Sequence, residues 1–165
     1  MFEEVMSNGP LAREPCIKVK VILEDVVLHE DAIHRGPSQV YPAVRTAIRK
    51  AMMLSKPVIL EPVQTLLFEA PLDYMGAITK LVSSKRGQLL EMNQDEHNTE
   101  IKAKIPVAEM FGLSSELRSA TGGRGTFFLV DQEYQKLPEE MQQKIIEQIR
   151  QRKGLKAFRE EWSEE

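Results

Sequence analysis

The sequence predicts an α+β protein in which a partial α+β segment is followed by a ferredoxin-like, split βαβ domain and then by a C-terminal helix. The main observation concerns residues 57–138, where strand-like and helix-like stretches follow one another in the order β-α-β-β-α-β. About 80 residues suit one small domain of this kind. A strand-like and a helix-like stretch precede this region, and an amphipathic stretch follows it.

Composition limits the class of protein. The chain has 165 residues, of which 42% are hydrophobic and 28% charged, and its formal net charge is −3. These values are typical of one or two compact units and argue against a protein coated in basic charge. The single cysteine, Cys16, cannot form an internal disulfide, which fits a reducing compartment. No apolar run approaches the roughly 20 residues of a membrane span, and residues 1–14 do not resemble a signal peptide, so we expect a cytoplasmic protein.

The partial segment at the start is predicted to contain two helices, a strand and a loop. Residues 2–8 form a short helix that a Gly-Pro pair ends. β-Branched residues with partial alternation predict a strand over residues 17–28. Residues 29–38 are polar and contain a second Gly-Pro pair, as loops do, whereas apolar side chains recur at helical spacing over residues 41–55.

The split βαβ pattern rests on alternation in the strands and on a period of 3.6 in the helices. A polar tetrapeptide, residues 95–98, separates the two central strands and predicts a hairpin. The predicted elements are strand 58–70, helix 72–85, strand 88–94, strand 99–106, helix 107–119 and strand 124–134. Residues 139–152 then form an amphipathic helix, and residues 156–165 are predicted to be an acidic tail.

Two histidines give the loop a superficial likeness to a zinc motif. His29 and His34 are five residues apart, so on an α-helix they would lie about 140° apart and could not bind one metal from one face. The other candidate ligands, His97 and Cys16, stand alone in the sequence. We therefore expect no metal site.

No pattern of an enzyme active site occurs. Asp31, His34 and Ser38 are near one another in sequence, but no GxSxG strand-turn-helix surrounds Ser38. The stretch Gly122-Gly123-Arg124-Gly125 follows a predicted helix, where it is typical of a helix end and not of a phosphate site. Because no P-loop occurs, we expect no catalytic residue and no bound cofactor in this chain.

Two interpretations of the loop remain open on composition alone, a solvated polar loop and a functional loop held out by a strand and a basic helix. The stretch that follows, from the helix through Lys56, has four positive charges and no negative one. Such a run is either a solvated face or a surface that binds RNA phosphates in a salt-dependent way. The candidate RNA-facing residues are Arg45, Arg49 and Lys50.

A resemblance to a known family begins at the loop. Residues 28–43, LHEDAIHRGPSQVYPA, resemble archaeal and eukaryotic elongation factor 2, the translocation GTPase related to bacterial elongation factor G. Further motifs follow the order of the same family up to residue 155: GPLAREP at 9–15, LEP at 60–62, DYMG at 73–76, RG at 86–87, PVAEMFG at 106–112, LRSAT at 117–121 and RKGL at 152–155.

The resemblance implies a place for each segment in a longer protein. Residues 1–56 would be the C-terminal part of domain IV and residues 57–138 a ferredoxin-like domain V, with residues 139–155 packing back towards domain IV. The full-length family member is a translational GTPase whose GTP and Mg²⁺ bind in an N-terminal domain that this sequence does not contain. The implied function is GTP-dependent translocation of tRNA and mRNA on the ribosome. The alternative is a stand-alone RNA- or ribosome-binding module without a GTPase domain.

The resemblance also assigns roles within the loop. It implies that His34 is converted to diphthamide. Diphthamide-synthesis enzymes and ADP-ribosylating toxins are then expected partners, and the protein is expected to be a monomer. His29, Asp31 and Arg35 would support the loop or contact the decoding site, where the ribosomal RNA and the tRNA–mRNA pair are the partners. Eukaryotic members have a run of glycines after the histidine, whereas this chain has Gly36-Pro37-Ser38, which fits the archaeal type and a stiffer loop.

Overall fold

The computed structural model describes residues 1–158, which divide into two compact units. The first unit consists of Met1–Ile59 together with residues 137–158, and the second unit is Leu60–Lys136. Of the predicted acidic tail, residues 159–165 lie outside the described residues. Within residues 1–158, no helix combines the length and the apolar composition that crossing a bilayer requires.

The described residues form five α-helices and four strands. The helices are α1 (Phe2–Ser7), α2 (Pro37–Leu54), α3 (Met75–Ser84), α4 (Leu113–Ala120) and α5 (Glu139–Arg152). The strands are β1 (Leu60–Pro71), β2 (Gln88–Gln94), β3 (Asn98–Pro106) and β4 (Thr126–Lys136). Short 3-10 turns at Ala32–Arg35, Leu72–Tyr74 and Val107–Glu109 precede α2, α3 and α4.

The second unit is a four-stranded antiparallel sheet with the strand order β2-β3-β1-β4. With α3 after β1 and α4 after β3, it has the β-α-β-β-α-β order that the sequence predicts, so the predicted fold class is confirmed. Alternation explains the packing, because Leu66 and Phe68 of β1 pair with Ala103 and Ile101 of β3, and all four are fully buried. The helices close this core with Ile78, Val82, Leu113 and Leu117.

The turn between α3 and β2 is tied to the sheet by Arg86. Its backbone is left-handed, with φ of +52°, and its side chain donates to the carboxylates of Glu61 at 2.9 Å and Glu109 at 2.9 Å. The hydrogen bond to Glu61 and the one to Glu109 raise the pKa of Arg86. A Cβ at Gly87 would lie 2.6 Å from atoms of Val82, so only glycine fits where the chain turns back against the helix.

The predicted strand at residues 17–28 is wrong. This segment has no ladder partner among the described residues, and apolar side chains such as Leu23 and Val27 are exposed. β-Branched alternation indicates a chain suited to a sheet, but a strand exists only when a neighbour satisfies its N–H and C=O groups. Two helices begin four or more residues away from their predicted starts. α2 begins earlier, with Pro37 at its first position, and α4 begins only after Gly112, whose φ is +78°.

Side chains in the last turn of α5 donate hydrogen bonds to the irregular chain that precedes residues 17–28. The guanidinium of Arg150, which is 1% exposed, donates from Nη1 to the Leu11 carbonyl and from Nε to the Lys156 carbonyl, each at 2.8 Å. Lys153 Nζ donates to the carbonyls of Ala12 and Arg13 at 3.1 and 2.8 Å. Cations at the C-terminal end of a helix also interact favourably with its dipole.

The chain passes from the first unit to the second after Ile59 and returns to the first unit at Leu137. Both points are hydrogen-bonded to one side chain of α5, Gln142. Gln142 accepts from the Ile59 N–H at 2.8 Å and donates to the carbonyls of Ile59 and Leu137 at 3.1 and 2.8 Å. The Leu137 N–H donates to the Ile59 carbonyl at 3.1 Å. The chain therefore leaves and re-enters the first unit at adjacent points.

Replacing Arg150 should destabilise the first unit. In Arg150→Met the carbonyls of Leu11 and Lys156 lose buried charged donors, so we expect the free energy of unfolding to fall by about 2–4 kcal/mol. Urea denaturation followed by circular dichroism measures this change. Lys144→Met, at an exposed position on α5, is the matched control and should change stability by less than about 0.5 kcal/mol. Equal unfolding midpoints for the two variants would contradict the role of Arg150.

The β2–β3 hairpin should weaken in acid through Asp95. Its Oδ1 accepts the N–H groups of His97 and Asn98 at 2.8 and 2.6 Å, and these bonds lower the pKa of Asp95. The folded pKa lies below the unfolded one, so this contribution is present above the ordinary aspartate pKa of about 3.9 and is lost as the pH falls through the folded pKa.

Asp95→Asn keeps the acceptor oxygen but cannot titrate, so it should remove this part of the acid dependence. The measurements are the Asp95 carboxyl carbon shift against pH and urea denaturation at acidic pH. Glu96→Gln, in the same turn, is the control. An acid dependence that Asp95→Asn leaves unchanged would count against the hairpin assignment.

Candidate functional site

The candidate site is the tip loop, which we define as residues 29–36, between the extended segment and α2. Every side chain from His29 to Arg35 is exposed, and the 3-10 turn Ala32–Arg35 forms its centre. No buried apolar contact therefore holds this loop. Its conformation depends on hydrogen bonds within the loop itself.

Asp31 starts the 3-10 turn. Its side chain accepts the Ile33 N–H at 3.0 Å, and its carbonyl accepts the His34 N–H at 3.1 Å. An aspartate is well suited to this position because its short carboxylate reaches a free N–H two residues ahead.

The two histidines of the loop lie against each other. Their ring centroids are 4.6 Å apart and the ring planes meet at 65°, an edge-to-face arrangement. His29 Nδ1 accepts the Asp31 N–H at 3.1 Å, which fixes the orientation of that ring. In the neutral form His29 then carries its proton on Nε2.

Arg35 binds the start of the loop. Its Nε donates to the His29 carbonyl at 2.6 Å, and its Nη2 donates to the Glu30 carbonyl at 2.8 Å. The four residues predicted for the tip, His29, Asp31, His34 and Arg35, therefore form one hydrogen-bonded cluster. Among residues 1–158, no group of three or more His, Cys, Asp or Glu side chains could hold a metal ion.

The predicted basic residues lie further along α2 and do not belong to this cluster. Arg45 is eight residues after Pro37, which is about 12 Å along a helix axis. Arg45 and Arg49 are one turn apart on the same helix face. In both side chains Nε is buried and has no hydrogen-bond partner. Lys50 is exposed beside them.

Glu4 is a residue of this surface that sequence reasoning missed. Its Oε1 accepts from Arg45 Nη2 at 2.7 Å in a half-exposed ion pair. The pair forms because Val5 of α1 packs against Ile48 and Met52 of α2. No pattern in the sequence connects two residues that are 41 positions apart. The α2 sequence contains no acidic residue, and it therefore suggested a higher positive charge for this face than the structure shows.

Known proteins resemble this chain in both sequence and fold. The family model described as elongation factor G, domain IV matches residues 1–56, and the model described as elongation factor G C-terminus matches residues 58–145. These domains define a class of translation elongation factors. Because the second model alone covers more than half of the sequence, the chain belongs to the elongation factor G family.

Curated relatives are archaeal elongation factor 2 proteins, which confirms the resemblance seen in the sequence. The chain is 53% identical over 154 residues to elongation factor 2 of Nanoarchaeum equitans and 54% identical over 155 residues to that of Methanocaldococcus jannaschii. The matches cover 93% and 94% of this chain and 21% of each relative. The chain thus spans about a fifth of the length of these relatives.

A solved structure from Thermus thermophilus matches the fold. It superposes with a TM-score of 0.75 at 29% sequence identity. The match covers 90% of this chain and 22% of that one.

Proposed function

We propose that this chain is the ribosome-engaging C-terminal portion of an archaeal-type elongation factor 2. Residues 1–56 would form the end of domain IV, residues 57–138 would form domain V, and residues 139–155 would return to domain IV. The family matches support this division. The bonds of Arg150 and Lys153 to the carbonyls of residues 11–13 support the return of the last helix.

The observation that carries the proposed function is the preorganised tip loop. An exposed 3-10 turn presents His34 beside His29, on a loop whose hydrogen bonds are all local. In this proposal the tip enters the decoding site and contacts the codon–anticodon helix. An exposed imidazole also suits conversion to diphthamide, because modifying enzymes and ADP-ribosylating toxins must reach the carbon between its two nitrogens.

GTP chemistry belongs to another part of the proposed full-length protein. The 165-residue sequence has no P-loop, so GTP and Mg²⁺ would bind in an N-terminal domain, and hydrolysis there would drive translocation of tRNA and mRNA. This portion would act in the cytoplasm as the lever and the tip. No observation separately favours the alternative of a stand-alone RNA- or ribosome-binding module.

The basic face of α2 would add affinity for ribosomal RNA that does not depend on sequence. Arg49 is partly exposed and Lys50 is exposed next to it, so both are placed to meet phosphates. Arg45 would contribute less, because Glu4 already neutralises it.

Modification of His34 is the direct test of the tip. The chain purified from an archaeal host should carry a mass adduct on the peptide that contains His34, because the loop exposes that ring. Tandem mass spectrometry locates the adduct. His34→Gln is the control and should carry none, whereas His97→Gln, in an exposed turn of the second unit, should keep it. An unmodified wild-type chain from that host would contradict the assignment of His34.

Ribosome binding should respond in opposite directions to two charge changes near α2. Arg49→Ala removes one phosphate contact, so affinity should fall and the slope of log K against log salt should drop by about 1. Glu4→Gln frees Arg45, so affinity should rise at low salt. Fluorescence titration with ribosomes across a salt series measures both. Arg152→Ala, exposed on α5, is the control. Identical salt slopes for all variants would rule out this face as an RNA contact.

A further inference from the structure

Closure of the tip loop depends on one side chain. Apart from the bonds internal to the 3-10 turn Ala32–Arg35, the described backbone of residues 29–35 supplies the bond from the His34 N–H to the Asp31 carbonyl. Arg35 adds two more bonds, from Nε to the His29 carbonyl and from Nη2 to the Glu30 carbonyl. These bonds join the end of the loop to its start across five and six residues.

We propose that Arg35 is a positioning residue that holds the tip loop closed and so sets the ring of His34 against His29. The inference rests on the proposed function in one respect, namely that His34 is the residue to be presented. The resemblance leaves two roles open for Arg35, support of the loop or contact with the decoding site, and this proposal assigns it the first and specifies the atoms that it holds.

The geometry of the guanidinium makes this role specific to arginine. A guanidinium has its N–H donors in a rigid plane, so Nε and Nη2 reach two neighbouring carbonyls at the same time. The side of the guanidinium that carries Nε and Nη2 faces the loop, so these two donors cannot bind a phosphate at the same time. A lysine keeps the charge but has one ammonium on a flexible stem, so it cannot hold both carbonyls in a fixed arrangement.

The ring contact depends on this closure. The carbonyl of His29 is bound by Arg35, and its Nδ1 accepts from the Asp31 N–H, so both the backbone and the ring of His29 are fixed. His34 comes from the turn that the Asp31 side chain caps. When the Arg35 bonds are lost, the start of the loop is free to move away from the turn, and the two rings separate.

The test compares the wild-type chain with Arg35→Lys by nuclear magnetic resonance. The variant should lose the Overhauser contact between the ring protons of His29 and His34, and the His34 amide should exchange about tenfold faster. Its melting temperature should stay unchanged, because every side chain from His29 to Arg35 is exposed. Arg118→Lys, exposed on α4, is the matched control and should keep both signals. Retention of the ring contact and of slow exchange in Arg35→Lys would overturn the proposal.

A second measurement links the loop to modification. Wild-type, Arg35→Lys and Arg118→Lys chains are produced in the same archaeal host, and the fraction of His34 that carries the adduct is compared. We expect a several-fold lower fraction in Arg35→Lys alone. An equal fraction in all three would overturn the positioning role. If no chain is modified, the proposed function of His34 fails, whereas the resonance comparison still decides the role of Arg35.

Discussion

Irregular backbone needs hydrogen-bond donors, and in the first unit cationic side chains supply them. A carbonyl outside helices and sheets must find a partner or be left to water. Arg35 binds two carbonyls at the tip, and Arg150 and Lys153 bind four more around the start and end of the unit. This constraint gives Arg35, Arg150 and Lys153 a structural task, whereas Arg49 and Lys50 of α2 are the proposed contacts to RNA. The same residue type therefore serves two tasks in one small unit.

The second unit was predictable because its signals are local. Alternation along β1 and β3 and helical spacing at Ile78 and Val82 each lie within one element, and the order of elements then limits the topology. The predicted hairpin also depends on a short polar sequence. The late start of α4 was not visible, because the periodic pattern continues through Gly112, where the backbone adopts a positive φ.

The first unit was less predictable because its determinants join distant residues. Residues 17–28 have the composition of a strand, but pairing is a property of two segments and no sequence pattern supplies the neighbour. Likewise Arg150 reaches a carbonyl 139 positions away, and Glu4 meets Arg45 only because α1 packs on α2. For the candidate site, motif resemblance identified the residues of the tip. The bonds among them, above all those of Arg35, depend on how the loop folds and are not visible in the sequence.

The hydrogen bonding of both connections between the units to Gln142 has a consequence for the order in which the protein forms during synthesis. The first unit is discontinuous in sequence, since Ile59 and Leu137 are neighbours in space and the second unit is inserted between them. All residues of the second unit are made before α5, so that unit can fold as soon as it leaves the ribosomal exit tunnel. The first unit must wait until Arg150 emerges. Nascent chains would therefore carry a finished sheet domain while the segment that bears the tip is still without its last helix.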